Sequence, residues 1–487
     1  MFPLPDDDPR WREIGERLPE DHHAKLIERQ VNQLDRETLD QVYRGSGSRP
    51  FDPIPLLKMV LYQYLKGNQS PARWVEEAQL NDAMRWLGRG YVPARRTWYE
   101  FRDRVGKFIE QVHQQIVTWA LKEELLDPTV GVQDGTALAA CASRHRTLNR
   151  PTLKKRLEQL DTITRGRFRE EVPKWVPPTD SGKQDLRERM NRALEVLEER
   201  IEANSKRPSE KRKHPDKIHV SVSDPDAPLG RDKLKVFRPL YTIQYVVALG
   251  SHLIMSYCCE ASATDAGTLA PMIDKTQRLV EGRMETVMAD AAYCSIVDLQ
   301  ECQQRNIELL APFQSNSMTQ AKKQENPNSQ ISREQFVWDE VENCYHCPQG
   351  HRLEYLDRAR KRRHSDHQLW EYRYRCDSVH CSACPLAAKC LRPKATTRTV
   401  KRLEGQELMD AHRQKMADPG VQSRYRLRGE TVERAFGDMK ENRHLNRFHG
   451  RGTIRARAET GLIVVAQNLL RLDRMARALL NPEKTTS

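Results

Sequence analysis

Two apolar, β-rich runs, RPLYTIQYVVALG and HLIMSYCCEA, meet at Gly250-Ser251. Such a pair predicts an antiparallel hairpin, and with it a sheet at the centre of the chain. Upstream, TVGVQDGTALAAC predicts a strand carrying Asp134. Downstream come a helix around 267–280, a short apolar run ending on Asp290 (METVMADAAYCS), a helical pattern (IVDLQECQQRN) and a further strand (IELLAPF). Three strands, then helix, strand, helix and strand, predict a mixed α/β core. The segment 421–475 reads as helical and closes on GLIVVAQNLLRL, an apolar helix expected to pack on the sheet.

The flanks and insertions divide the chain. Residues 1–125 read as an all-helical domain. Asp52-Pro53 opens a helix as N-cap and first residue, Leu57, Leu61 and Leu65 repeat along one face, and Gly67 stops it. Ser70-Pro71 opens another, and Thr97 with Glu100 forms a capping-box pattern. Arg95, Arg96, Arg102 and Arg104 around that third start suit either a helix-turn-helix-like DNA reader or the charged face of a helical bundle. The core is expected over 126–475. It is interrupted by a basic helical insertion at 145–218 and by a polar, cysteine-bearing insertion at 313–405; a disordered tail is expected at 476–487.

Lys and Arg total 81 against 68 Asp and Glu, a net charge of +13. That surplus favours a polyanionic partner, because each cation placed on a phosphate releases condensed counterions. No apolar run is long enough to span a bilayer, and the acidic start MFPLPDDDPR has no signal-peptide core. The expected setting is the cytosol or nucleoid, with no membrane. In that reducing compartment the 11 cysteines are not expected to form a disulfide framework; those that cluster are better explained by metal, while Cys141, Cys258, Cys259, Cys294 and Cys302 read as core thiols.

Asp134 and Asp290 each sit at or just after a strand-like run and are followed by small residues, which leaves room for a metal ion and a phosphate. Metal-assisted phosphoryl transfer needs several carboxylates converging on Mg²⁺ or a similar ion. In YRLRGETVERAFGDMKENRHLNRF, Val432, Phe436 and Met439 mark an amphipathic helix. Glu433 and Lys440, seven residues apart, would stack on one side of it. Arg428, Arg434, Arg443 and Arg447 surround them. On helix physics alone this is equally a surface Glu–Lys helix.

The chain resembles bacterial insertion-sequence DDE transposases with a ribonuclease-H-like core. The matching residues are QDGT around Asp134, SDPDA with YTIQYVVAL, TDAGTLAPMID, ADAAYCS around Asp290, and Tyr425, Arg428, Glu433 and Lys440. FDPIPLLKMVLYQYLKG and RRTWYEFRDRV are similar to the helical segment that precedes the core in that family. The resemblance implies a ribonuclease-H-like mixed sheet flanked by helices. It implies Asp134, Asp290 and Glu433 as catalytic ligands of Mg²⁺ or Mn²⁺, with Tyr425, Arg428 and Lys440 contacting DNA or supporting the site. Arg434, Arg443 and Arg447 join them as DNA-binding candidates. The Arg-to-Glu spacing is one residue longer than the usual signature, which leaves Glu430 as an alternative to Glu433.

Six thiols lie within the second insertion: Cys344, Cys347, Cys376, Cys381, Cys384 and Cys390. Paired C-x2-C units have the spacing of a structural zinc ribbon. Ribbon spacing alone selects Cys344, Cys347, Cys381 and Cys384. The resemblance selects Cys347, Cys381, Cys384 and Cys390, with Cys344 and Cys376 as alternates. His346 and His380 are possible ligands, with bystander the favoured reading.

The implied activity is metal-dependent cleavage of double-stranded DNA at terminal inverted repeats, then transfer of the freed strand into target DNA by a homodimer. The N-terminal helices would recognise the ends. The basic runs at 205–217, 358–364 and 392–402 would grip the backbone. A hydrolytic nuclease without strand transfer, a catalytically retired DNA-binding derivative and a zinc-ribbon binding module are the rival readings.

Overall fold

The computed structural model describes residues 8–37, 51–168, 170–207, 209–232, 234–313, 331–363, 367–392 and 394–480. Positions 208, 364 and 393 of the three basic runs, and 481–487 of the expected tail, lie outside them. The chain divides into two units, Met1–Asp265 with Met272–Met284 and Arg428–Ser487, and Ala266–Pro271 with Glu285–Leu427.

The first unit begins with α1 (Pro9–Arg17), α2 (His23–Val31), α3 (Pro53–Leu65), α4 (Pro71–Leu80), α5 (Asp82–Leu87), α6 (Arg95–Val105) and α7 (Ile109–Lys122). The Asp52 carboxylate accepts the Ile54 N–H at 3.0 Å and Pro53 fills the first helical position, as the dipeptide predicts. Gly67 follows α3 with φ +73°, and a side chain there would press on the backbone of Arg443 and the His444 ring. The Thr97–Glu100 capping box does not form. Helix α6 starts at Arg95 after Ala94 with no side-chain cap, so Thr97 is already inside it, and Glu100 instead pairs with Arg96 at 2.7 Å.

Four strands follow: β1 (Val130–Ala139), β4 (Leu229–Arg231), β5 (Phe237–Ala248) and β6 (Ile254–Glu260). Strand β5 pairs antiparallel with β1 along one edge and with β6 and β4 along the other, and the β5–β6 hairpin turns where Gly250-Ser251 predicts. From Pro239 to Ala248 β5 is buried on both faces. The terminal helix (Thr453–Leu480) fastens to β6 through Asn468, whose amide exchanges two 2.9 Å hydrogen bonds with the Ile254 backbone. That helix takes in 476–480 of the expected tail. Helix α10 (Leu269–Leu279) anchors to β6 through Thr276, 2.6 Å from the Ser256 hydroxyl.

The 145–218 insertion is more than a charged arm. Strands β2 (Thr147–Asn149) and β3 (His219–Ser221) pair at its base, and α8 (Arg150–Thr164) and α9 (Asp180–Ser205) enclose a core of Leu153, Leu160, Met190, Ala193, Leu197 and Val220.

In the second unit, β7 (Thr286–Met288) and β8 (Glu308–Leu310) pair in parallel, with α11 (Ile296–Gln304) between them in the chain. The Ser295 side chain and Asp298 form a reciprocal capping box at the start of α11. The region read as linker and basic runs is a five-stranded antiparallel sheet. Its strands are β9 (Val337–Asp339), β10 (Cys344–His346), β11 (Arg352–Arg363), β12 (His367–Cys376) and β13 (Thr399–Leu403), in the spatial order β13-β12-β11-β10-β9. Short helices α12 (Ser378–Ser382) and α13 (Ala387–Cys390) follow β12, and α14 (Gln406–Ala417) follows β13. The molecule is thus mixed α/β. Among the described residues no helix is long and apolar enough to cross a membrane.

Candidate active site

Asp134 lies in the middle of β1, not at its end, and directly opposite Tyr245 of β5. Its Oδ1 accepts the Gly135 N–H at 2.8 Å, and Arg428 Nη2 lies 3.3 Å from its Oδ2. Thr136, two residues on and therefore on the same face, accepts a 2.5 Å hydrogen bond from Lys440 Nζ. Arg428 belongs to the helix Pro419–Gly437 and Lys440 to the π turn Asp438–Asn442 that follows it.

The apolar stripe of that helix explains how two cations reach β1. Val432, Phe436 and Met439 are buried. The Phe436 ring stacks on Tyr245 with centroids 4.7 Å apart, and the Tyr245 hydroxyl meets Met439 Sδ at 3.3 Å. Because Tyr245 is the cross-strand partner of Asp134, the stripe docks on the face that presents Asp134. At roughly 100° per residue, Arg428, Val432 and Phe436 share an arc of about 80°. Glu433 lies about 60° beyond its edge and Glu430 about 120° beyond. Both glutamates are exposed, and Glu433 has no ion-pair partner among the described residues. The straight-helix stacking of Glu433 on Lys440 is not observed, since the α-helix stops at Gly437 and the π turn redirects Lys440 to Thr136.

The remaining arginines take different places. Arg443 is 7% exposed, with its guanidinium on Asp438 and on the Leu65 carbonyl. Arg447 donates to the carbonyls of Ala140 and Ala142, each at 3.1 Å, and so ties the segment after the π turn to the end of β1. Arg434 lines a cavity of about 160 Å³ with His252, Arg471, Arg474 and Asn468. Burial, with Arg434 and Arg474 alongside, lowers the affinity of Arg471 for its proton. Asp438, also at that cavity, is engaged by Arg443, Asn442 and Gln467. Arg102 of the supposed DNA-reading cluster is only 3% exposed, 3.1 Å from Asp103 and 3.9 Å from the fully buried Glu459. It is a core residue; Arg95, Arg96 and Arg104 are exposed.

The SDPDA motif has a structural part that its sequence does not disclose. Buried Asp224 accepts from the Tyr241 hydroxyl at 2.7 Å and the Gly452 N–H at 3.2 Å, while Asp226 accepts from Thr453 at 3.1 Å. The pair holds the start of the terminal helix. Burial raises the Asp224 pKa against the lowering effect of those hydrogen bonds.

In the second unit Asp290 is two residues past β7, as the strand-end reading requires. It caps the 3-10 turn Ala291–Tyr293 by accepting the Ala292 N–H at 2.7 Å. The Tyr425 hydroxyl donates to the Ala289 carbonyl at 3.0 Å, beside Asp290 in the chain.

The thiols separate by sheet face. Cys376, Cys381 and Cys390 share a core with Tyr345, Leu353, Tyr374 and Val400, and Cys347 packs against it. Burial, with the Cys381 and Cys347 sulfurs close by, pushes Cys376 up to about 12; Cys390 is raised by burial and has Cys381, Cys384 and Cys347 as neighbours. Among the described residues, however, no three of these thiols lie within 4.8 Å of one another, so the structure groups them in one core without assembling a zinc-ligand set. Cys344, adjacent to the inward-facing Tyr345, lies on the other face. There Cys344 Sγ is 3.6 Å from His346 Nε2, which is 3.8 Å from Asp339 Oδ2. The three ligand atoms all lie within 4.8 Å of one another, an S, N and O set able to hold a metal ion. His346 is therefore no bystander in position. Its signal was the Cys-x-His spacing on a strand, which puts both side chains on one face.

Residues 346–473 match the family model described as a transposase DDE domain, and residues 12–104 match the model described as a transposase domain (DUF772). The two matches support an insertion-sequence DDE transposase. The DDE-domain match takes in Cys347 to Cys390 and the Tyr425–Lys440 segment, and the other takes in most of α1, α2 to α5 and most of α6. Asp134 and Asp290 lie outside both. No curated protein and no solved structure matches the chain.

Proposed function

We propose that this transposase cleaves double-stranded DNA at the terminal inverted repeats of its element and joins the freed 3′ end to target DNA, acting as a homodimer at the bacterial nucleoid. Its core is ribonuclease-H-like and its catalytic acids are Asp134, Asp290 and Glu433. The observation that carries the reading is the docking of the Arg428–Lys440 segment on β1, which sets Arg428 against Asp134 and leaves Glu433 exposed beyond the edge of the docked face. Mg²⁺ or Mn²⁺ at these acids would supply Lewis acidity for water attack and then for the 3′-hydroxyl. Arg428 and Lys440 balance carboxylate charge and stand ready to receive phosphate. Arg434, with Arg471 and Arg474, offers an anion-binding cluster for the DNA backbone. Arg447 positions the end of β1, and Arg443 supports the π turn. Cys347, Cys381, Cys384 and Cys390 hold a structural Zn²⁺ that closes one end of the five-stranded sheet.

The test is cleavage of a plasmid carrying the flanking DNA of the reading frame, with and without Mg²⁺. Asp134→Asn, Asp290→Asn and Glu433→Gln should each abolish cleavage while retaining duplex binding, and Glu430→Gln should retain both. A joined product with target plasmid distinguishes transposition from simple hydrolysis. Full cleavage by Asp134→Asn would overturn the assignment.

A further inference from the structure

Strand alternation gives the five-stranded sheet two unlike faces. On β12, Trp370, Tyr372 and Tyr374 point one way. The register sets Arg358 and Arg402 on either side of Tyr372, Tyr355 beside Tyr374, and Arg360 beside Trp370. One end of this face is the buried thiol core. The other end opens into a groove of about 440 Å³ lined by Trp338, Asn343, Tyr355, Arg358, Tyr372 and Arg402 together with Tyr374. Tyr355 is 46% exposed.

The cations of the two faces are neutralised differently. On the outer face Arg373 pairs with Asp357, and Lys401 with Glu371 at 3.0 Å. In and beside the groove the arginines lie on rings: Arg402 is 4.1 Å from the Trp338 centroid, and Arg358 and Arg360 are 4.3 and 4.9 Å from that of Trp370. Among the described residues no carboxylate lines the groove. Glu407, 3.2 Å from Arg402 Nη2, is outside that lining.

We infer that this groove binds unpaired DNA, with bases stacking on the Tyr355 and Tyr372 rings and phosphates meeting Arg358 and Arg402. Stacking of bases on aromatic side chains beside a positively charged track is the chemistry of single-strand binding. A duplex keeps its base faces covered and gains only the phosphate contacts. The inference deepens the transposase reading, since strand cleavage and joining expose the single-stranded segments such a groove would hold.

The test uses the full chain, no added divalent metal, and two fluorescein-labelled probes read by anisotropy: a 20-residue oligo-dT and a blunt 20-base-pair duplex. Tyr355→Ala combined with Arg358→Ala should weaken oligo-dT binding about tenfold or more and change duplex binding less than about twofold. Tyr355→Phe, which keeps the ring, should bind oligo-dT like the wild type and shows that the sheet is intact. Arg375→Ala, on the outer face, should leave both affinities unchanged. Wild-type oligo-dT binding by the double variant, or an equal loss on both probes, would overturn the inference. Asp134→Asn should bind oligo-dT normally. Loss of its cleavage with an unaltered Tyr355/Arg358 variant would sink the groove and leave the transposase reading standing; the reverse pattern would do the opposite.

Discussion

Strands β5 and β12 both occupy interior positions in their sheets, and opposite means hold them there. In β5 every residue from Pro239 to Ala248 is buried, so burial on two faces dominates its stability. In β12 inward residues such as Tyr374 alternate with Arg373 and Arg375, and much of its support is side chain against side chain across strands. Tyr374 packs edge-on to Trp338 and Tyr345 at 5.3 and 5.4 Å. A sheet sustained by burial tolerates a polar group only where something else compensates it, which makes Asp134 beside Arg428 a conspicuous expense. A sheet sustained by cross-strand pairs carries charge freely and relies on closure at one end, where the thiols gather.

The comparison breaks most readily at Asp134. Asp134→Asn should lower Mg²⁺-dependent cleavage by at least roughly 10²–10³-fold, the scale of losing one group that stabilises a transition state. Its urea midpoint should stay near the wild-type value, since the substitution also removes the burden of a partly buried charge. Unfolding at much lower urea would make Asp134 a structural residue. The matching change in the second sheet, Cys381→Ser with Cys384→Ser, should release bound Zn²⁺, measured by metal analysis. It should also open the 337–403 region to proteolysis while duplex binding persists.

Next in size is Glu459. Its oxygens accept the His449 N–H at 2.9 Å and that of Gly450, and they lie 3.7 Å from the His449 ring and 3.9 Å from the buried Arg102 guanidinium. Removing the carboxylate leaves two backbone N–H groups without their acceptor and buried Arg102 with Asp103 alone, so Glu459→Ala should cost about 3–5 kcal/mol in urea unfolding. A loss below about 1 kcal/mol would mean that water already reaches the cluster.

Much of the first sheet is readable in the residues because it depends on local and apolar signals. The β5–β6 turn, the Asp52-Pro53 helix start and the Val432–Phe436–Met439 stripe each follow from spacing within a few residues. Several features depend on partners far along the chain, and no local pattern shows them. Arg102 looks like a surface cation until Glu459, 357 positions later, buries it. Thr97 and Glu100 satisfy the capping pattern, yet Ala94 and Arg95 already extend the helix. RLEYLDRARKRR reads as a basic run, and only its register to β12, which sets Tyr355 beside Tyr374 and Arg358 beside Tyr372, makes it a strand. The acids divide similarly. Asp290 was legible as a strand-end residue, whereas Asp134 is tolerable in mid-strand because a distant helix brings Arg428 to it. Glu433 and Glu430 are both exposed on the undocked side of that helix, and no local pattern separates them.

His113 offers a graded test within the burial-driven sheet. It is fully buried on α7, its Nε2 lies 2.9 Å from the Ile254 carbonyl of β6, and burial lowers its pKa to about 4. The unfolded chain takes up this proton near 6.5. Between those values the unfolded state binds more protons, so the stability it contributes is complete above about pH 6.5 and is lost as pH falls toward 4. The wild type minus His113→Gln difference in unfolding free energy should therefore shrink by about 3 kcal/mol from pH 7 to pH 4. A pH-independent difference would show that the site admits water.

The smallest effect belongs to the outer face of the second sheet. Lys401 is 56% exposed beside Glu371, which is 8% exposed and keeps further contacts. The long lysine gives up side-chain entropy to hold one geometry in a largely aqueous field, so Lys401→Ala should cost less than about 1 kcal/mol, and less again in 0.5 M salt. Tyr374→Ala, on the other face of β12, empties an aromatic cluster and should cost about 3–5 kcal/mol. Equal costs would place the strength of this sheet in its charged face and undo the contrast with β5. A large gap, measured as urea midpoints on one preparation, assigns it to the aromatic face, which holds the thiol core at one end and the proposed DNA groove at the other.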